Sequence, residues 1–557
     1  MKDKPEVFTG IAELKTWLAA QPANTPETPY AAALNVNSLT AANSTPGGVS
    51  LAPVVGDELS EIRNFSLDLS GSALTRIGDE AFFDCVGIVG ITLPKGLSVI
   101  GERAFYGCGG LSSVTIPAGV TVIGKEAFAD CYGLTAIEVD PDNAAYRSED
   151  GVLYDKAGTT LLRYPAKKAD PDFTVPDGVT AIGDGAFGGC EILSAVTVPE
   201  GVTIIGEEAF AACLNLESVT LPASTAVIGK GVFRYCGSLT TAAIPPGVTA
   251  VSESAFSTCD KLASVTIPES VVSIGKEAFF GCRGLASVIF PSGLTSIGDG
   301  AFAWCPSLAA AAIPASVVNL GKDAFACSGL SAIVVDPANA AYSSEDGVLY
   351  SKARTTLLRY PAGKTGAAFI VPDGVTVIGD NAFAGSSLAS AAIPASVTRV
   401  GDGVFTWCPG LTAINVDPAN TGYSSADGVL YNKAKTTLIQ YPRGKTGAAF
   451  AIPPGVTHVG DKAFYECYSL TAVTLPDSLV RIGDGAFAHC DLRGVTIPAG
   501  VTRVGDGAFS WCLRFKTVTF LGTLAQAGFP PGAFPGEVRE EFYKTNPANG
   551  TPGTYTC

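Results

Sequence analysis

Two histidines, fifteen cysteines and one literal G-x-G-x-x-G stretch are the residues of this chain with the chemistry for a catalytic, metal or nucleotide site. The histidines are His458 and His489. A Ser–His–Asp or Cys–His device needs an imidazole held between a nucleophile and an orienting group. Neither histidine sits at a fixed place in the chain's pattern: Val122 and Ala181 stand where His458 does, and Trp304 stands where His489 does. Gly183–Gly188 reads GDGAFG. A dinucleotide fingerprint needs a long helix behind it and an acid about twenty residues on. Here nearly the same letters return as IGDGAF at 297–302 and 482–487, so the stretch belongs to a repeat. The charged residues that follow I-G are spread evenly and read as a solvated edge. No two of them stand apart as general acid and base. No C-x-x-C occurs, which removes the commonest zinc spacing. No catalytic residue, no metal site and no cofactor is expected.

The cysteines carry a period instead. Thirteen stand three residues after a Phe in an I/V-G-x-x-A-F signature with small variations, Cys327 stands two after, and Cys557 lies outside the pattern. The Phe fall at 82, 105, 128, 187, 210, 233, 256, 279, 302, 325, 383, 405, 464, 487 and 509, mostly 23 residues apart. Only the unit at Phe383 lacks its Cys. A column of small buried thiols is the expectation, since free Cys is among the most buried residue types. A disulfide framework is the alternative, but equivalent side chains on stacked coils run parallel instead of facing each other.

The elements that position these residues follow from one unit, Leu111 to Cys131. Val114 and Ile116 are two apart and face the same way in a strand. Pro117 ends that strand, having no N–H for a ladder. Val120 and Ile123 bring the chain back, Gly124 permits a turn, and Ala127 to Cys131 reads as one helical or 3₁₀ turn with Phe128 and Cys131 inward. One unit cannot bury these side chains; stacked units can. Outward strand positions are mostly small: Thr92, Thr115, Thr197, Thr220, Thr266, Ala312, Ala392, Thr474 and Thr496. The expected fold is an α/β repeat solenoid of leucine-rich-repeat type, with a curved parallel sheet on one face and short helical or 3₁₀ turns on the other. Residues 1–60 form an N-terminal cap or leader, including an amphipathic helix around Phe8, Ile11, Leu14 and Leu18. The solenoid covers 61–520, and 521–557 form a C-terminal cap or tail.

The order I-G-x-x-A-F-x-x-C…L-x-x-V-x-I-P, repeated about fifteen times over roughly 65–520, resembles the BspA-like, Treponema-type leucine-rich repeat family. LKTWLAAQPANTPETPY from Leu14 and GTYT from Gly553 also resemble segments that flank this repeat in spirochaete surface lipoproteins. The resemblance implies an exported, cell-surface or extracellular protein of adhesin type. It implies no enzymatic activity.

Three inserts break the period, at 139–172, 335–368 and 416–449. In each, G-V-L-Y, a K-A-x-T turn and T-L-L/I-x-Y-P read as an inserted β-hairpin. They hold 9 of the 17 tyrosines and 13 of the 36 Lys and Arg, against 12 acids. The rest of the chain, whose total formal charge is −16, is strongly acidic. Tyrosine with basic residues is the usual chemistry of a recognition surface. The candidate ligand-binding residues are Tyr146, Tyr154, Tyr164, Tyr342, Tyr350, Tyr360, Tyr423, Tyr431 and Tyr441 with Arg163, Arg359 and Arg443. The alternative is that the same tyrosines pack on neighbouring coils. D-P-x-N followed by D-G suggests calcium, but the spacing is not that of an EF-hand and the residues are ordinary turn formers.

The acidic balance disfavours nucleic acid. No run approaches the ~18 apolar residues of a membrane helix. MKDKPEVF at the start lacks the apolar core of a signal peptide, so no export signal is expected within the chain as given. These readings converge on a non-catalytic binding protein for a protein or glycan ligand, host-surface and matrix components among them. A structural scaffold or spacer of the cell envelope is the second reading.

Overall fold

The computed structural model describes residues 5–37, 39 and 63–557. The rest of the expected N-terminal segment, including 40–60, lies outside the described residues. The chain divides into two compact units, Met1–Cys305 with Asn319–Ala324, and Pro306–Val318 with Phe325–Cys557.

Each unit is a stack of β-coils. The wide strand of a coil pairs in parallel with its successor: Ser113–Ile116 pairs with Ala136–Val139, Val114 opposite Ile137. A second, narrow ladder uses two residues per coil, as where Val99–Ile100 pairs with Val122–Ile123. In the wide strand Val114 and Ile116 are buried while Ser113 and Thr115 face solvent, the alternation that a period of two dictates. Of the expected outward positions, all are exposed except Ala392, which is half-buried.

The turn edge of each coil differs from the expected helical turn. Glu126 (φ 56°) and Asp130 (φ 55°) are left-handed on either side of Phe128, which breaks any helix into consecutive turns. Phe105 also donates its N–H to Ala127 O (2.8 Å) and Gly107 donates to Ala129 O (3.0 Å) in the next coil. Donors committed between coils cannot serve a helix within one coil, so this edge is a third line of cross-coil bonds.

Phe and Cys fill the interior beneath that edge. Phe82, Phe105 and Phe128 stack at 4.8 and 5.3 Å with nearly parallel rings. The same column runs through Phe187, Phe210, Phe233, Phe256, Phe279 and Phe302 in the first unit. Burial of each ring contributes roughly 1.5–3 kcal/mol. Cys thiols donate to the Phe carbonyl 26 positions earlier, as Cys131 to Phe105 O and Cys236 to Phe210 O at 3.1 and 3.0 Å. All fifteen cysteines are free thiols, buried except Cys327 and Cys557.

At the N-terminal end of the first unit, helix Ile11–Ala20 buries Ile11, Leu14 and Leu18. Strands Glu6–Phe8, Tyr30–Leu34, Phe65–Asp68 and Ile88–Thr92 follow one another in a parallel sheet. In the second unit, helix Val538–Tyr543 and strand Gly553–Thr556 close the sequence, the strand lying antiparallel on Thr517–Phe520.

Candidate functional site

Each insert forms three antiparallel strands. In the first, Tyr146–Glu149 pairs with Val152–Asp155, which pairs with Thr160–Arg163. The last strand then returns to parallel pairing, Leu161 opposite Ile182. Asp150 (φ 50°) and Gly151 (φ 74°) make the tight turn between the first two strands, the two-residue D-G turn whose twist suits a hairpin. A Cβ on Gly151 would lie 2.8 Å from the Ala136 Cβ, so this position also needs glycine for space.

The D-P-x-N motif is a clamp between coils. Asn143 is fully buried. Its amide N–H groups donate to Pro117 O and Val120 O of the preceding coil (2.8 and 2.9 Å), and its Oδ1 accepts from the N–H of Ala145 and Tyr146. Asn339 and Asn420 make the same four bonds in the other inserts. The Lys of K-A-x-T closes over this turn: Lys156 donates to Pro141 O, and Lys433 to Pro418 O. A second lysine pairs with the D-G aspartate, Lys168 with Asp150, Lys364 with Asp346 and Lys445 with Asp427. Among the described residues, no cluster of three His, Cys, Asp or Glu is placed to hold a metal ion.

The tyrosines fall into three roles, and most of the expected contact residues point inward. Tyr154, Tyr350 and Tyr431 are buried. Burial pushes each of these phenols up to about 12. Tyr164, Tyr360 and Tyr441 are buried as well. They stand 23 residues before Phe187, Phe383 and Phe464 and occupy the Phe column, with ring centroids 5.4, 5.5 and 4.9 Å from those rings. Burial also raises their phenols, Tyr441 to about 12. Arg163 and Arg359 are buried too and bind turn-edge carbonyls of the next coil, Gly185 O and Gly188 O for Arg163, Asn381 O and Ala384 O for Arg359. These eight residues therefore do not present a contact surface; the apolar interior claims the rings and the carbonyls claim the guanidinium groups.

Tyr146, Tyr342 and Tyr423 stay half-exposed, with the hydroxyl of Tyr146 accepting from Ile123 N–H and that of Tyr423 from Val400 N–H. Arg443 pairs with Glu466 (2.9 Å) and lies over the Tyr468 ring at 5.2 Å.

A different set of side chains faces solvent on the turn edge. The residue before each column Cys is left-handed except at Cys327, which is itself left-handed; several coils use Gly there, Gly107, Gly189, Gly281 and, where the Cys is missing, Gly385, and others use Asp84, Asp130, Ala212, Thr258 or Glu466. Other coils place Tyr235 (φ 62°), Trp304 (φ 60°), Trp407 (φ 53°), His489 (φ 58°) and Trp511 (φ 57°) at the same position. A left-handed non-glycine residue costs roughly 1–2 kcal/mol. The rings stay partly open to solvent: Trp304 is 45% and Trp511 68% exposed. Three of the four tryptophans of the chain stand at this one position, a signal present in the sequence. His458, by contrast, is exposed on the narrow ladder, its Nδ1 2.8 Å from its neighbour Thr457 Oγ1.

Stacked parallel coils with a recurring Leu-Val-Ile-Phe-Cys interior define a leucine-rich-repeat solenoid. The chain belongs to the family described as BspA type leucine rich repeat region (6 copies), whose model matches residues 59–150, 169–272, 249–352, 365–447 and 446–529. Among solved structures, a leucine-rich cell surface protein from Faecalibacterium prausnitzii is 25% identical, with 76% of this chain and 91% of that one covered, at a TM-score of 0.42. A leucine-rich repeat protein from Bacteroides ovatus is 22% identical over 82% of this chain and 92% of that one (TM-score 0.35). The Treponema pallidum leucine-rich repeat protein is 22% identical over 44% and 78% (TM-score 0.20). No curated protein matches the chain. No helix among the described residues is long and apolar enough to cross a membrane.

Proposed function

We propose that the chain is a non-catalytic binding protein displayed at the cell surface, adhesin-like, which recognises a protein or glycan through the turn edge of its coils. One observation carries this reading: Trp304, Trp407 and Trp511 occupy a left-handed turn-edge position that sister coils fill with Gly or with smaller residues such as Asp84, Asp130 and Ala212, and Trp304 and Trp511 are exposed there. A large ring kept in a left-handed conformation and left partly open to solvent points to a function for the side chain. Trp, Tyr and Arg are also the residues that dominate binding surfaces. Tyr146, Tyr342 and Tyr423 keep part of their rings at the surface of the inserts. Family membership supports export and surface display.

The scaffold reading draws on the inserts, whose tyrosines and arginines mostly serve the stack itself. Binding of the purified chain to host cells and matrix preparations separates the two. The triple variant Trp304→Gly, Trp407→Gly, Trp511→Gly keeps the solenoid and loses adhesion if the turn edge binds. Equal adhesion of both chains, or none by either, favours the scaffold. Protease shaving of intact source cells tests display: release of insert peptides without cytosolic markers supports it, and protection until lysis overturns it.

A further inference from the structure

We infer that the open indole face of Trp511 is a stacking platform for a neutral pyranose ring of a glycan. This rests on the binding reading above and gives that edge its ligand chemistry. Three rings on successive coils lead to the platform. Tyr465 meets His489 edge-on at 5.4 Å, and His489 lies parallel to Trp511 at 5.9 Å and 3°. The series stops at Trp511 for a structural reason. The next coil places Phe534 on Phe509 (4.6 Å), continuing the interior column, and two residues later puts Gly536 (φ 70°) where Trp511 stands in its own coil. Glycine has no side chain to lay over the indole, and Trp511 is 68% exposed.

The surroundings select the ligand. Arg514, three residues on from Trp511, lies 3.6 Å from Asp491. Planar guanidinium and carboxylate groups offer several donors and acceptors to hydroxyls, while a flat aromatic face takes the C–H face of a sugar. A protein interface needs about 800 Å² per partner with an apolar centre; here the exposed rings and Leu513 are interrupted by that ion pair. A polyanion would meet a chain of net charge −16.

The test is calorimetric titration of the full chain with hexaoses of β-1,4-glucose, β-1,4-N-acetylglucosamine, β-1,4-mannose and β-1,4-xylose. At least one is expected to bind, with Trp511→Gly weakening it tenfold or more and leaving the melting temperature no lower. Trp17→Phe, in the N-terminal helix, should leave binding unchanged. No binding of any hexaose at millimolar concentration, or binding that survives Trp511→Gly, overturns the inference. Adhesion to cells that persists while no hexaose binds would overturn the sugar assignment and leave the binding reading standing; loss of both would end both.

Discussion

The Tyr146 hydroxyl accepts a hydrogen bond from the Ile123 N–H at 3.0 Å, joining the first insert to the narrow ladder at the point where that ladder stops. Backbone pairing resumes only at the last strand of the insert, so a side chain does there what a strand does elsewhere. Tyr423 repeats the arrangement with Val400 N–H at 2.9 Å.

Tyr146→Phe removes this acceptor alone. The expected loss is about 1 kcal/mol, with faster amide exchange at Ile123 and little change in the solenoid core. Unchanged exchange at Ile123 would show that the hydroxyl is dispensable.

Asn143 satisfies four main-chain groups from a fully buried position. Leaving buried partners unpaired costs roughly 1–3 kcal/mol for each group, so Asn143→Ala should lower stability by about 3 kcal/mol or more. Asn143→Asp should be as damaging, because it turns an acceptor toward Pro117 O and Val120 O. Chemical denaturation, compared with the same changes at Asn339 and Asn420, measures the clamp.

Tyr164 buries its hydroxyl without a hydrogen-bond partner while its ring continues the Phe column. Tyr164→Phe should therefore be neutral or stabilise by up to about 1 kcal/mol, whereas Tyr164→Ala should cost roughly 3–5 kcal/mol. A destabilising Tyr164→Phe would mean that the phenol has a role the packing does not reveal.

Alkaline pH should unfold the chain in a defined window. Tyr154, Tyr350, Tyr431 and Tyr441 shift from a reference of 10.0 to about 12 through burial, the neutral phenol being the form the interior accepts. The folded value lies above the unfolded one. The associated stability is thus complete below pH 10 and is lost as the pH rises toward 12. Tyrosinate absorbance should show an early phase from exposed phenols, then a cooperative phase coincident with loss of far-ultraviolet dichroism. A single non-cooperative titration would contradict the buried placement.

Much of the stack was legible in the sequence because the 23-residue period writes the interior directly: Val114, Ile116, Phe128 and Cys131 are all buried where the spacing puts them. The turn edge was less legible. Ala127 to Cys131 has the length of a helical turn, and only backbone conformation shows Glu126 and Asp130 left-handed. Tyr164, Tyr360 and Tyr441 looked like contact residues by composition, yet each stands one period before a column Phe, which marks it as a core residue. Trp304 reads in the sequence as a variable position shared with His489; the meaning of that position needs the backbone conformation and exposure that a one-dimensional pattern does not carry.

The substitution of Tyr164 for Phe in the column also bears on how such a chain can change length. An insert leaves one parallel coil and hands back to the next in phase with the aromatic column that follows, since Tyr164 and Phe187 are 23 residues apart. The inserts thus act as interchangeable cassettes: duplication or excision of one, cut at matching points of the period, leaves every remaining ring a neighbour of the right size. Selection can then vary what the chain displays by whole modules while the interior is reused unchanged.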